Sequence, residues 1–260
     1  MSEEIKSCCA TLYESDLARM LLGDSFHPGG LRLTARLGEK LGLQPGMRVL
    51  DVASGKGESA IFLAQRFGCE VVGIDFGAAN VAESTSRAVA AGVANLASFR
   101  QGDAEKIDAR DASFDAVICE CAFCTFPHKP AAASEFRRVL RPGGAVGLSD
   151  LTRSAILPKE SQGLLAWIAC IADARPVDEY AGYLKGAGFT DVSVEPHDEA
   201  LAEMVRDIQG KLLGAELLSK LKKLDLGGVD FAEAKAMARA ASDAVRAKTL
   251  GYSLIHGQAV

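Results

Sequence analysis

The chain has 260 residues, 48% of them hydrophobic and 24% charged, which suits one large domain with a substantial buried core. Its formal net charge of -5 leaves no basic footprint for non-specific nucleic-acid binding. No apolar run approaches the roughly 20 residues that a membrane helix needs, so neither nucleic acid nor a bilayer is expected as a partner.

The N-terminus "MSEEIKSCCATLYESD" carries acids where a secretory leader has a basic start and an apolar run, which makes the cytoplasm the expected compartment. The seven cysteines are accordingly expected as reduced thiols. "CCATLYESDLARMLLG" and "LRLTARLGEKLG" read as two helices joined by the loop "DSFHPGG", giving an N-terminal helical cap over residues 1–42.

From Arg48 on, short β-branched runs alternate with longer amphipathic ones. "RVLDVA", "CEVVGID", "LASFRQGD", "FDAVICE" and "AVGLSDL" read as five strands. Three helices lie between them: "ESAIFLAQRFG" closed by Gly68, "AANVAESTSRAVAAG" closed by Gly92, and "KPAAASEFRRVLRPGG". Buried strands alternating with helices imply a mostly parallel sheet covered on both faces, with its ligand at the strands' carboxyl ends. Residues 151–175 follow as a capping segment. "DEYAGYLKGAGF" then reads as a helix and "DVSVEP" as a strand, ahead of a helical insertion over 199–249. "GYSLIHG", from Tyr252 to Gly257, is expected as a last, antiparallel strand at the sheet edge. Within the insertion, the helical spacing of "KLLGAELLSKLKKL" is expected to pack on its own domain.

The expected fold is therefore α/β. It is a doubly wound, seven-stranded sheet in a domain over 43–260, with N-terminal helices and a helical insertion before the last strand.

"LDVASGKGES" places a glycine turn, Gly55 and Gly57, between the strand ending near Asp51 and the helix starting near Glu58. Glycines let a ligand approach the backbone, and the helix start offers free N–H groups. Nicotinamide and flavin enzymes use similar loops, so a nicotinamide-dependent oxidoreductase is one alternative. Ala60 stands where the dinucleotide fingerprint has its third glycine. Asp75, ending "VVGID" with Phe76 after it, is placed to accept from ribose hydroxyls; a helix-capping role is its other reading. Asp103 and Ala104 in "QGDAEKI" are placed to meet an amino group such as that of adenine. "RVLRPGG" supplies the turn into the fifth strand.

These four signals, in order across about 100 residues, resemble the class I methyltransferases that use S-adenosylmethionine, over about Gly29 to Asp150. The resemblance implies a donor site built from Asp51, Ala53, Gly55, Gly57, Asp75, Phe76, Asp103, Ala104 and Glu120. Ala53 replaces the first glycine of the family's loop.

"VICECAFCTFPHK" puts Cys119, Cys121 and Cys124 within six residues at the end of the fourth strand. Alternation places Cys119 and Cys121 on one face and Glu120 on the other. Cys119 lies deeper and reads as core, while Cys121 lies at the rim. Cys121-x-x-Cys124 lacks the paired spacing of a zinc site, with His128 a poor partner, and lacks the helix start of a redox pair.

"ECAFCTFPHK", "EFRRVLRPGG", "LSD" and Cys170 ahead of "DEYAGYLKGAGF" together resemble arsenite methyltransferases. That resemblance implies trivalent arsenic as a substrate bound by Cys121 and Cys170, with Cys124, Cys8 or Cys9 as candidate third thiols. Soft arsenic prefers thiolates. The phenylalanine–x–PGG loop at 26–30 equally resembles phosphoethanolamine and sterol methyltransferases, which leaves a small organic acceptor open, with His27 or Glu120 as base or cation holder. Trp167, Phe123 and Phe126 are candidates to line the acceptor pocket or to fill the core.

Overall fold

The computed structural model describes residues 27–155, 173–221 and 230–260. The elements run α1 (Gly30–Lys40), β1 (Arg48–Val52), α2 (Glu58–Phe67), β2 (Glu70–Asp75), α3 (Ala78–Ala90), β3 (Ala97–Gln101), β4 (Phe114–Glu120), α4 (Lys129–Val139), β5 (Leu140–Arg153), α5 (Val177–Gly186), β6 (Phe189–Pro196), α6 (Asp198–Lys220), α7 (Phe231–Arg246) and β7 (Leu250–Ala259). The seven strands form one sheet in the order β3-β2-β1-β4-β5-β7-β6. β1 to β5 are mutually parallel, and β7 runs antiparallel to β5 on one side and β6 on the other. Strand order reverses between β1 and β4, which opens a crevice at their carboxyl ends.

Two apolar layers explain the uninterrupted hydrophobic strands. Val49, Val71, Ala116 and Ile118 pack with Leu37 of α1 and Leu63 of α2 on one face. Leu50, Val52, Val117 and Cys119 pack with Phe136 of α4 and Tyr180 of α5 on the other. α1 is part of this core, because Leu37 presses so close to β5 that a Cβ on Gly147 would lie 2.6 Å from it. Gly68, at φ 67°, closes α2, where the left-handed backbone suits glycine.

Three expectations change. The C-terminal strand is antiparallel but internal. β7 pairs with β5 from Ala145 to Arg153, covering the long strand, and β6 takes the edge with a largely exposed pattern. β5 also begins earlier than its apolar run, at Leu140, where it pairs with Phe114 before a register shift. In α6, Leu212 and Ala215 are buried, but Leu213, Leu217 and Leu218, with Leu221 just past the helix end, are 42% to 60% exposed. The buried side of that spacing meets α7, where Leu212 packs with Ala234 and Ala238 in a cluster apart from the two sheet layers. The expected first helix of the cap lies outside the described residues, as does part of the capping segment.

Candidate active site

The loop after β1 builds the first part of the crevice. Gly55 has φ 51°, and a Cβ there would meet nothing within 4 Å, so its backbone faces open space. Gly57, at φ 77°, serves packing instead: a Cβ there would come within 2.6 Å of Phe99. Ala53 adopts φ 58°, the left-handed region that the family's glycine occupies freely and a methyl-bearing residue occupies at a cost.

Asp75 holds this loop against β2. One carboxylate oxygen accepts from the Gly55 N–H at 2.8 Å. The other accepts from the Gly77 N–H at 2.8 Å and from Asn80 Nδ2 at 3.1 Å. The carboxylate is buried rather than solvated, and it caps α3 as well as bracing the glycine loop. Phe76 lends its carbonyl to Gln101 Nε2 at 3.0 Å. Asp103 accepts from the Glu105 N–H at 2.9 Å, and Ala104 is buried beside it. The strand ends thus bring Asp51, Ala53, Gly55, Gly57, Asp75, Phe76, Asp103 and Ala104 to one rim.

Asp51 is 2% exposed, and its Oδ2 has no hydrogen-bond partner among the described residues. Burial, then the charges of Glu120 and Asp75, push its carboxyl well above the ordinary range.

Glu120 is the hub of the second part. Its carboxylate accepts from the hydroxyls of Ser59 at 2.6 Å, Thr34 at 3.0 Å and Ser149 at 3.3 Å. His27 Nε2 lies 3.7 Å away, with both side chains nearly sealed from solvent. Tyr252, from β7, donates to Ser149 Oγ at 2.9 Å and extends the chain. Motif reading missed Thr34, Ser59, Ser149 and Tyr252. Single hydroxyls on four different elements leave no local signature.

The four described cysteines are free thiols. Cys119 is fully buried, and burial raises its thiol well above the usual range, with Asp150 adding to it. Cys124 is also fully buried, in a short turn of 3-10 helix (Phe123–Thr125), with its N–H donated to Asp150 at 2.9 Å. Cys121 differs from both. It is only partly buried, it ends the extended run with φ 52°, and its N–H bonds to the Ser149 carbonyl at 2.6 Å. Phe123 and Phe126 are core side chains, their ring centroids 5.7 Å apart, and Phe123 packs 5.9 Å from Tyr180. Among the described residues no three His, Cys, Asp or Glu side chains converge as metal ligands. Cys8, Cys9, Trp167 and Cys170 lie outside the described residues.

Lys129, which ends the stretch "ECAFCTFPHK", is buried and pairs with Asp173 at 2.5 Å while donating to the Phe126 carbonyl at 3.1 Å. Arg175 takes the other oxygen of Asp173 at 2.6 Å. This fastens the start of α4 to the chain just ahead of α5.

Residues 49–144 match the family model described as a methyltransferase domain. Phosphoethanolamine N-methyltransferase 1 of Arabidopsis thaliana is 33% identical over 68% of this chain and 36% of its own length. Arsenite methyltransferase of Halobacterium salinarum is 33% identical over 64% of this chain and 42% of its own length. The chain therefore spans well under half the length of these two relatives. The 27-O-demethylrifamycin SV methyltransferase of Amycolatopsis mediterranei is 31% identical over 70% of this chain and 72% of its own length. In fold, the chain is similar to phosphoethanolamine N-methyltransferase 2 of Haemonchus contortus, solved with S-adenosylhomocysteine. The TM-score is 0.81 at 18% identity, over 98% of this chain and 59% of that one. These matches set aside the nicotinamide reading of the glycine loop. A relative matched over most of its length, on a sheet with this strand order and a glycine turn after β1, means that the chain belongs to the class I S-adenosylmethionine-dependent methyltransferases.

Proposed function

We propose that this enzyme methylates trivalent arsenic, with Cys121 and Cys170 as its thiolate ligands; Cys124, expected as a candidate third, is sealed in the core. One observation carries the reading. Cys121 is the one described cysteine not fully buried, and the left-handed turn at the end of β4 holds it at the crevice rim. A non-glycine residue in that conformation costs about 1–3 kcal/mol, which suits a position kept for its side chain. The 33% identity to an arsenite methyltransferase supports the same reading.

The donor half fits S-adenosylmethionine: an orphaned acceptor at Asp51, an open backbone at Gly55 and a buried carboxylate at Asp75 suit a ligand carrying an ammonium and hydroxyls. Bound there, S-adenosylmethionine supplies an electrophilic sulfonium methyl. Arsenic held by thiolates keeps a lone pair that would bond the methyl as the carbon–sulfur pair leaves with S-adenosylhomocysteine; no general base is required, and added thiol would supply the two electrons that return the methylated arsenic to the trivalent state. The chain's task is alignment and exclusion of water, worth several kcal/mol of barrier. Free thiols are stable in the cytoplasm, where this reading places the enzyme.

A second reading rests on the His27–Glu120 pair, sealed beside the crevice with Thr34 between them. A buried histidine–carboxylate pair can hold a cationic amine or take a proton from a nucleophile, which suits a small organic acceptor. The match to phosphoethanolamine N-methyltransferase 1 supports this reading about as well.

The test is transfer of labelled methyl to arsenite, in the presence of thiol, against a panel of small amines and alcohols. On the arsenic reading, arsenite is labelled, and Cys121→Ser or Cys170→Ser abolishes labelling while calorimetry shows unchanged donor affinity. Labelling of an organic acceptor that survives Cys121→Ser and fails in His27→Ala would transfer the function to the second reading.

A further inference from the structure

Cys121 needs something to hold it. Its φ of 52° lies in the left-handed region that residues with a side chain avoid, and such strain persists only where the surroundings over-determine it. The chain is fixed on both sides of it. Ahead, the β4–β5 pairing ends at Glu120 and Ser149, and the Cys121 N–H donated to the Ser149 carbonyl at 2.6 Å is the last rung of that ladder. Behind, the Ala122 carbonyl accepts from the Thr125 N–H at 2.9 Å and from the Thr125 hydroxyl at 2.7 Å, while Phe123 is sealed in the core.

The fixed point behind Cys121 is local. The one ahead depends on Ser149, which is fully buried and held by side chains from distant elements. Its hydroxyl accepts from Tyr252 of β7 at 2.9 Å and donates to Glu120 at 3.3 Å. Glu120 is tied in turn to Ser59 of α2 at 2.6 Å and to Thr34 of α1 at 3.0 Å. Tyr252 is also fully buried. Burial, then the charge of Cys121, raises its hydroxyl well above the ordinary range, which marks the two groups as close neighbours. The end of a ladder opens most easily where nothing anchors it. Here the residue that supplies the last carbonyl is pinned from both sides.

We propose that Ser149 is the positioning residue of the acceptor half: pinned by Tyr252 and Glu120, it holds Cys121 in its left-handed turn and so keeps the thiol at the crevice rim. The proposal rests on the reading that the acceptor is bound at Cys121. Ser149 acts through the backbone and needs no contact with the acceptor. Without its hydroxyl the carbonyl remains, but it is free to shift. Cys121 can then relax toward the ordinary backbone regions and carry its sulfur away from the acceptor. The donor, held by the loops after β1 and β2, is unaffected.

Alkylation of the full chain by iodoacetamide, read by peptide mass mapping, reports on the turn directly. In Ser149→Ala, Cys121 should react at least fivefold faster than in the wild type, with the sealed Cys119 and Cys124 still protected. A general loosening of the fold would expose those two as well. If Ser149→Ala does not fold, Tyr252→Phe takes its place, since it removes one of the two pins and should give a smaller acceleration in the same pattern. Tyr180→Phe is the control. It also strips a buried hydroxyl from β5, but that hydroxyl donates to the Leu151 carbonyl at 3.0 Å, so Cys121 should react at the wild-type rate. In steady-state kinetics with arsenite, Ser149→Ala should raise the KM for arsenite at least fivefold and leave the KM for S-adenosylmethionine unchanged. Unchanged Cys121 reactivity in Ser149→Ala and Tyr252→Phe overturns the proposal. So does Cys119 or Cys124 reacting in step with Cys121, or an equal acceleration in Tyr180→Phe. A wild type that methylates no arsenite removes the arsenic reading instead, and the hold on Cys121 is then decided by alkylation alone.

Discussion

The two halves of the crevice are built by different means. On the β1–β3 side, polar contacts are made by backbone N–H groups close to each strand end, such as Gly55 and Gly77 on Asp75. On the β4–β7 side, contacts are made by side chains gathered from far apart: Thr34, Ser59, Ser149 and, through Ser149, Tyr252, all serving Glu120. A backbone-built site tolerates little change in the chain that shapes it. A site built from single side chains can be re-specified one residue at a time, which fits a family whose donor is constant and whose acceptors differ.

The largest effect should come from crowding the donor half. A Cβ on Gly73 would lie 2.4 Å from Phe99 Cδ1 and 2.7 Å from Ser54 Oγ. Gly73→Val should therefore cost about 3 kcal/mol or more in chemical denaturation, through overpacking. A wild-type midpoint would mean that this half is looser than its contacts imply.

Asp75→Ala comes next. It strips the partner from three donors and, on the donor-site reading, from the ribose hydroxyls. One charged hydrogen bond is worth about 1.5–3 kcal/mol, so donor affinity should fall at least tenfold in calorimetry and stability should fall with it. Lost stability with unchanged affinity would reduce Asp75 to a helix cap and loop brace.

A smaller loss should mark the other half. Tyr252→Phe removes one neutral hydrogen bond to Ser149, worth about 1 kcal/mol, and should leave donor affinity as it was. A fall in donor affinity would show that the hydroxyl chain couples the two halves through Ser59. The smallest change should be a gain. Ala53→Gly relieves φ 58° and is expected to stabilise the protein by about 1 kcal/mol or less, because glycine gives part of the relief back as unfolded-state entropy. A loss instead would mean that the methyl group packs usefully.

Most of the fold was legible because strand and helix periods are local. β1, α2, β2, α3 and β4 fall within a residue or two of the runs "RVLDVA", "ESAIFLAQRFG", "CEVVGID", "AANVAESTSRAVAAG" and "FDAVICE". The position of β7 was not legible, since pairing order depends on which strand leaves an open edge after β5 is laid down. In the same way, Asp51, Asp75 and Glu120 can each be named from a motif. Their convergence needs the register of three strands.

By itself, then, the sequence determined the doubly wound sheet, the glycine turn after β1, and a cysteine at the mouth of β4. Each depends on residues only a few positions apart. Only the tertiary structure decided that Asp75 braces the loop it was expected to serve, and that Glu120 is shared by hydroxyls 29 to 86 residues away. It also decided that Cys121 stands at a left-handed turn while Cys119 and Cys124 are sealed in the core. Burial and hydrogen-bond partners are properties of the packed sheet, and local spacing carries no record of them.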